Sequence, residues 1–98
     1  MKYTIDYTTN FKKQYKKMKK QGKDLNVLHE VVEKLAKGEE LETKYKNHKL
    51  INDKYFKNCS ECHIAPDWLL IYQILDNDLI LLLFATVYLL LSLYLIHL

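Results

Sequence analysis

The sequence predicts an α+β domain with the element order β-α-α-β-β-β, a helical hairpin packed on a small antiparallel sheet, followed by an apolar C-terminal extension. Three observations carry this. Residues 3–7 alternate strictly between apolar and polar. Residues 9–37 repeat apolar positions at three- and four-residue spacing, and the only two glycines stand just past two such runs. From residue 54 onward the period returns to two.

Tyr3, Ile5 and Tyr7 alternate with Lys2, Thr4 and Asp6, the pattern of a half-buried strand. Thr8 or Thr9 then suits a helix N-cap. Phe11, Tyr15 and Met18 form a narrow apolar stripe among Lys12, Lys13, Lys16, Lys17, Lys19 and Lys20, and Gly22 fits the left-handed position that ends a helix. Asp24 suits the cap of a second helix, with Leu25, Leu28, Val31, Val32 and Leu35 inward and Gly38 as its stop. Residues 39–53 are polar and read as loop. A strand starting at Lys54 places Phe56, Cys62 and Ile64 on one side and Lys57, Cys59, Glu61 and His63 on the other. Pro66 breaks the ladder because it lacks an N–H. Residues 67–75 and 78–86 read as two more strands, joined by a turn at Asp76-Asn77.

A chain of 98 residues is one domain and can build a core without disulfide staples. Its charge is divided. All fifteen lysines lie in residues 1–58 against eight acids, a local balance of +7, whereas residues 59–98 hold four acids and no lysine. A basic block of this kind suits a phosphate-bearing partner, and it equally suits a solvated helix face. The N-terminus shows no apolar signal segment, so the expected location is the cytoplasm, where both cysteines stay reduced.

Cys59-Ser60-Glu61-Cys62-His63 matches the string of covalent haem attachment. That chemistry takes place outside the cytoplasm, and no second axial ligand is apparent. Zinc needs four tetrahedral ligands. Cys59, Cys62, His63 and His48 would supply four, but strand alternation sends Cys59 and Cys62 to opposite faces. No metal and no cofactor are expected. A third reading is a nuclease pocket. Metal-free RNA cleavage needs a base for the 2′-OH, an acid for the leaving 5′-oxygen and positive charge near the phosphorane. His48, His63 and Asp67 are residue types that suit these tasks, and Trp68 offers a ring for base stacking. The same residues also suit a loop histidine with satisfied hydrogen bonds beside a core tryptophan.

Two runs separate these readings. Tyr45-Lys46-Asn47-His48-Lys49-Leu50, and Glu61-Cys62-His63-Ile64-Ala65-Pro66-Asp67-Trp68-Leu69-Leu70-Ile71-Tyr72, resemble the YafQ branch of the RelE/ParE toxin superfamily, with the resemblance covering about residues 1–86. The resemblance implies a toxin of a type II toxin–antitoxin system, a ribosome-dependent mRNA endonuclease that works by acid–base chemistry. Its implied partners are a cognate antitoxin, mRNA and the ribosome, with DNA reached only through the antitoxin complex. It implies His48, His63 and Asp67 as catalytic residues: His63 an acid or base, Asp67 its proton-transfer or orienting partner, His48 a phosphate ligand or second acid/base. Electrostatics, rather than a motif, adds Lys46, Lys49, Lys54 and Lys57 as phosphate ligands, with Trp68 against a base.

After residue 86 the family usually continues with Gly-Ser-His and a nearby aromatic. This chain instead runs Val87-Tyr88-Leu89-Leu90-Leu91 and onward to Leu98. The abrupt change reads as an altered reading frame, which sequencing of the coding DNA tests: the idea fails if no shifted frame encodes the family ending. Loss of that histidine implies an alternative function, a toxin-like protein that binds antitoxin or ribosome without cleaving. Residues 79–98 carry no formal charge, and seventeen of the twenty are apolar. That is long enough for a membrane span of ~20 residues, but residues 79–86 are needed as an inner strand. A strand with an apolar extension is the expected form, and the tail predicts self-association.

Overall fold

The computed structural model describes residues 1–88, and the tail beyond Tyr88, with its expected self-association and possible membrane span, lies outside the described residues. Its elements are strand β1 (Thr4–Tyr7), helix α1 (Thr9–Lys20), helix α2 (Asn26–Ala36), a 3₁₀ turn (Thr43–Tyr45) and strands β2 (His48–Lys49), β3 (Ser60–Ala65), β4 (Trp68–Leu75) and β5 (Ile80–Tyr88).

The helical hairpin forms as the sequence predicts. Thr8 caps α1 by accepting the Phe11 N–H on its Oγ1 at 3.0 Å, and the same hydroxyl donates to the Phe84 carbonyl at 2.7 Å. The cap therefore also pins α1 to β5. Gly22, at φ +73°, ends the helix: its N–H reaches Lys19 O and the Lys23 N–H reaches Met18 O, so two terminal carbonyls are satisfied. Asp24 organises the entry to α2 by accepting the Asn26 N–H, although Leu25 occupies the cap position. Leu28, Val31, Leu35 and Ala36 are its buried face.

The five strands are ordered β1-β5-β4-β3-β2. Strands β2 to β5 are antiparallel neighbours, and β1 joins β5 in parallel, so the sheet is mixed. The helices carry the chain from one sheet edge to the other before the antiparallel return begins. Alternation shows which side chains share a face, not which way a distant strand runs.

Two segments differ from expectation. The polar stretch before residue 54 contains the edge strand β2, paired His48 to Glu61 and Lys49 to Ser60. The strand expected from Lys54 begins only at Ser60. Residues 50–59 close on themselves instead, with the Leu50 N–H bonded to Cys59 O at 2.9 Å. Asp53 Oδ1 accepts the N–H groups of Tyr55 and Phe56, both at 2.8 Å, and Asn52 and Asn58 are left-handed. These local bonds outcompete an extended ladder.

The helices cover one face of the sheet and build the main core, where Leu28, Val31, Leu70, Leu81 and Leu83 are fully buried. The opposite face holds a smaller cluster of Cys59, Ile71 and Ala85, covered by Leu50, Phe56 and Phe84. Among the described residues no helix is long and apolar enough to cross a membrane.

Candidate active site

The register of β2, β3, β4 and β5 builds the site. Directly opposed residues of neighbouring strands point to the same face. His48 opposes Glu61, Glu61 opposes Ile71, and Ile71 opposes Ala85. The next row on that face runs His63, Leu69, Val87. Ile71 and Ala85 belong to the small cluster, so both rows lie on the face the helices leave uncovered. The sheet thus brings His48, Glu61 and His63 onto one face, the one opposite the helices.

His48 sits between two acceptors. Its Nδ1 meets the Lys46 carbonyl at 2.7 Å and its Nε2 meets Glu61 Oε2 at 3.0 Å. A carbonyl and an ionised carboxylate only accept, so the single N–H of a neutral ring fills one of the two contacts and only a protonated ring fills both. The Glu61 side chain is only 17% exposed, against 51% for His48, which makes it a fixed anchor for a more accessible ring. The segment that offers the Lys46 carbonyl is held in turn. Lys46 is left-handed at φ +48°, Asn47 Oδ1 accepts the Tyr72 hydroxyl at 2.6 Å, and Tyr45 is buried.

His63 is half-buried, and its Nδ1 lies 3.4 Å from the Pro66 carbonyl, a long contact that orients the ring loosely. Asp67 is exposed in the turn between β3 and β4. Among the described residues the histidine ion pair is His48 with Glu61, not His63 with Asp67. The expected orienting role of Asp67 toward His63 is taken by the Pro66 carbonyl. Asp67 lies near enough to Tyr88, the ring stacked on Trp68, to add to the rise that burial gives the Tyr88 hydroxyl.

Trp68 is a correction. It was expected to stack on a base, but it is 6% exposed and belongs to the helix-covered core. Its indole N–H donates to Thr86 Oγ1 at 2.7 Å, and that hydroxyl donates to the Leu69 carbonyl at 3.0 Å. Its ring stacks on Tyr88 with centroids 5.3 Å apart. The reason is parity: Trp68 shares the face of Leu70 and Tyr72, opposite to Leu69 and Ile71.

Lys46, Lys49, Lys54 and Lys57 are all exposed, and among the described residues none of them makes an ion pair. Lys46 and Lys49 flank His48 in sequence, while Lys54 and Lys57 stand on the 50–59 loop.

The cysteines follow the alternation argument. Cys59 packs in the small cluster and Cys62 in the main core, on opposite faces, so no chelate joins them. Burial, with a lesser push from Glu61, raises the Cys62 thiol to about 12, and burial with Asp53 raises that of Cys59. Both are buried thiols, not nucleophiles. Among the described residues no three metal-ligating side chains converge.

Glu61 is the residue that sequence reasoning passed over. Its signal was present: Glu61 and His63 are two apart on a strand and therefore share a face. What the sequence lacked was the partner strand, because β2 is two residues long and shows no alternation.

Residues 3–87 match the model of a family described as the bacterial toxin of type II toxin–antitoxin system, YafQ. The chain is 33% identical over 74 residues to the mRNA interferase toxin YafQ of Escherichia coli K12, covering 74% of this chain and 78% of that protein. Among solved structures it resembles a metal-bound toxin from Helicobacter pylori, with TM-score 0.80 and 38% identity over 88% of this chain and 93% of that one. It also resembles the toxin fold in the E. coli DinJ–YafQ complex, with TM-score 0.76 and 31% identity over 88% of this chain and 92% of that one. A match that takes in both helices and all five strands decides the lineage: this chain belongs to the YafQ family of bacterial toxins of type II toxin–antitoxin systems.

Proposed function

We propose that this toxin cleaves mRNA on the ribosome by side-chain acid–base chemistry, and that a cognate antitoxin neutralises it. The observation that carries the reading is the placement of His48, Glu61 and His63 on the sheet face opposite the helices, near lysines that make no ion pair among the described residues. A base removes the proton of a ribose 2′-OH, whose oxygen attacks the adjacent phosphorus. The P–O5′ bond breaks, an acid protonates the departing 5′-oxygen, and a 2′,3′-cyclic phosphate remains. His48, when protonated, supplies positive charge and a donatable proton beside the phosphorane. His63 and Asp67 are the groups for proton uptake, and among the described residues neither is locked in an ion pair. Lys46 and Lys49 hold the backbone on either side of His48. Relatives named mRNA interferase, and a relative solved with its antitoxin DinJ, support the substrate and partner classes.

A second reading has its own observation. Beyond residue 86, where the family usually continues with Gly-Ser-His, this chain reads Val87-Tyr88-Leu89. On this reading the chain binds antitoxin and ribosome without turnover. Inducing the toxin in cells that lack antitoxin, then mapping mRNA 5′ ends by primer extension, decides between them. Cleavage sites that disappear in His63→Ala, a fall of about a hundredfold or more, support the enzyme. Ribosome association with no new 5′ ends supports the binder.

A further inference from the structure

The loop at residues 50–59 has a feature that its packing does not explain. Leu50 and Phe56 turn inward onto Cys59, Ile71 and Ala85 and hold the loop to the sheet. Between them, Ile51 is 82% and Tyr55 79% exposed. Tyr55 is not on a free-moving segment. Its N–H and that of Phe56 are both bound by Asp53 Oδ1, and the loop ends are tied by the bond from Leu50 N–H to Cys59 O. An aromatic ring is therefore presented to solvent from a fixed backbone. Lys54 Nζ stands 5.7 Å from its centroid. Beside it, Lys49, Lys54 and Lys57 line a cavity of about 810 Å³ together with Asp53 and Asp76, with Ser60 in its wall. Ser60 precedes Glu61 on β3, so the cavity lies one residue from the row that carries His48, on the other side of the strand. From Ser60 to His63 is about 10 Å along the strand.

We propose that the 50–59 loop is a nucleotide subsite for single-stranded RNA, in which Tyr55 stacks on a base and Lys49, Lys54 and Lys57 take the phosphates beside it. Every base has a π-face, and stacking on one ring combined with cationic tracking of the backbone is the general means of holding single strands. An acidic polypeptide would also be drawn to the lysines. It gives no reason for an exposed tyrosine held rigidly among them. The subsite deepens the RNA-cleaving reading and rests on it for the choice of RNA: it adds the residue that grips the strand upstream or downstream of the cut.

The test is binding of the full chain to an unstructured RNA of about eight nucleotides, followed by fluorescence anisotropy. Tyr55→Ala weakens binding about tenfold, within the range for one lost stacked base, and Tyr55→Phe retains it. The double variant Lys54→Ala/Lys57→Ala lowers the slope of log affinity against log salt by about 1.4, two phosphate contacts at ~0.7 each. Thermal melts confirm folding, since all three side chains point to solvent. Equal RNA affinity in Tyr55→Ala overturns the subsite, as does equal loss in Tyr55→Phe. So does poly-glutamate competing as well as RNA with no dependence on Tyr55. The two readings fail separately. If the wild-type chain grips RNA through Tyr55 yet produces no new 5′ ends, catalysis falls and the subsite stands. If it cleaves, and Tyr55→Ala changes neither affinity nor cleavage, the subsite falls and catalysis stands.

Discussion

At Glu61 a half-buried carboxylate holds an accessible imidazole by one 3.0 Å contact, while a left-handed lysine carbonyl holds the other nitrogen. Cutting one of two tethers lets the ring rotate off target. Glu61→Ala is expected to lower RNA cleavage at least about tenfold while leaving the urea midpoint nearly unchanged. Thr86 has the opposite profile. It is fully buried, and its hydroxyl satisfies both the Trp68 indole and the Leu69 carbonyl. Thr86→Val keeps the shape but strands a buried donor, so urea denaturation should show a loss of about 1–3 kcal/mol. Cys62 adds a pH dependence. Its thiol is raised to about 12 in the folded chain, above its ordinary value near 9. Once the pH passes the ordinary value, the unfolded chain sheds this proton while the folded one keeps it. Stability is therefore whole below pH 9 and declines between about 9 and 12. Denaturation midpoints between pH 8 and 10 should fall less steeply in Cys62→Ala. These sites also mark what the sequence disclosed. His48, His63 and Asp67 stood out by residue type and by family pattern. Glu61 did not, because its role depends on a strand across from it. Trp68 was misplaced because chemistry drew attention to its ring, whereas its strand parity with Leu70 already put it inside.

Among the elements, the helices were the most legible. Their spacing was sustained over several turns, and each ended at a glycine whose conformation the backbone needs. Gly22, at φ +73° with open space around it, should lose about 1 kcal/mol on change to Ala, and less on change to Asn, because the strain is in the backbone and not in contacts. Thr8→Ala should cost about 1 kcal/mol for the cap alone. Loss of its bond to the Phe84 carbonyl raises that figure, and a shift in the thermal midpoint measures it. The short elements were not legible. Strand β2 exists only because β3 lies beside it. The 50–59 loop carried a chance alternation that Asp53 and two left-handed asparagines override. Local periodicity predicts an element only when no side chain nearby offers the backbone a better partner.

For the whole molecule, charge was legible and topology only partly so. The lysines crowd into the first 58 residues, and RNA affinity is expected to fall by roughly an order of magnitude between 50 and 200 mM salt if about three phosphates are contacted. The direction of β1 was not readable, since its partner β5 lies more than seventy residues away. The two sheet faces were recoverable from parity, but not which of them the helices would cover. That division has an evolutionary consequence. The helix-covered face carries the larger hydrophobic core, whereas the opposite one carries His48 and His63, the residues proposed for the chemistry. A lineage built this way can discard its chemistry and keep its shape. Such a silent descendant would still occupy its antidote, and by doing so would set free the active siblings that the antidote restrains.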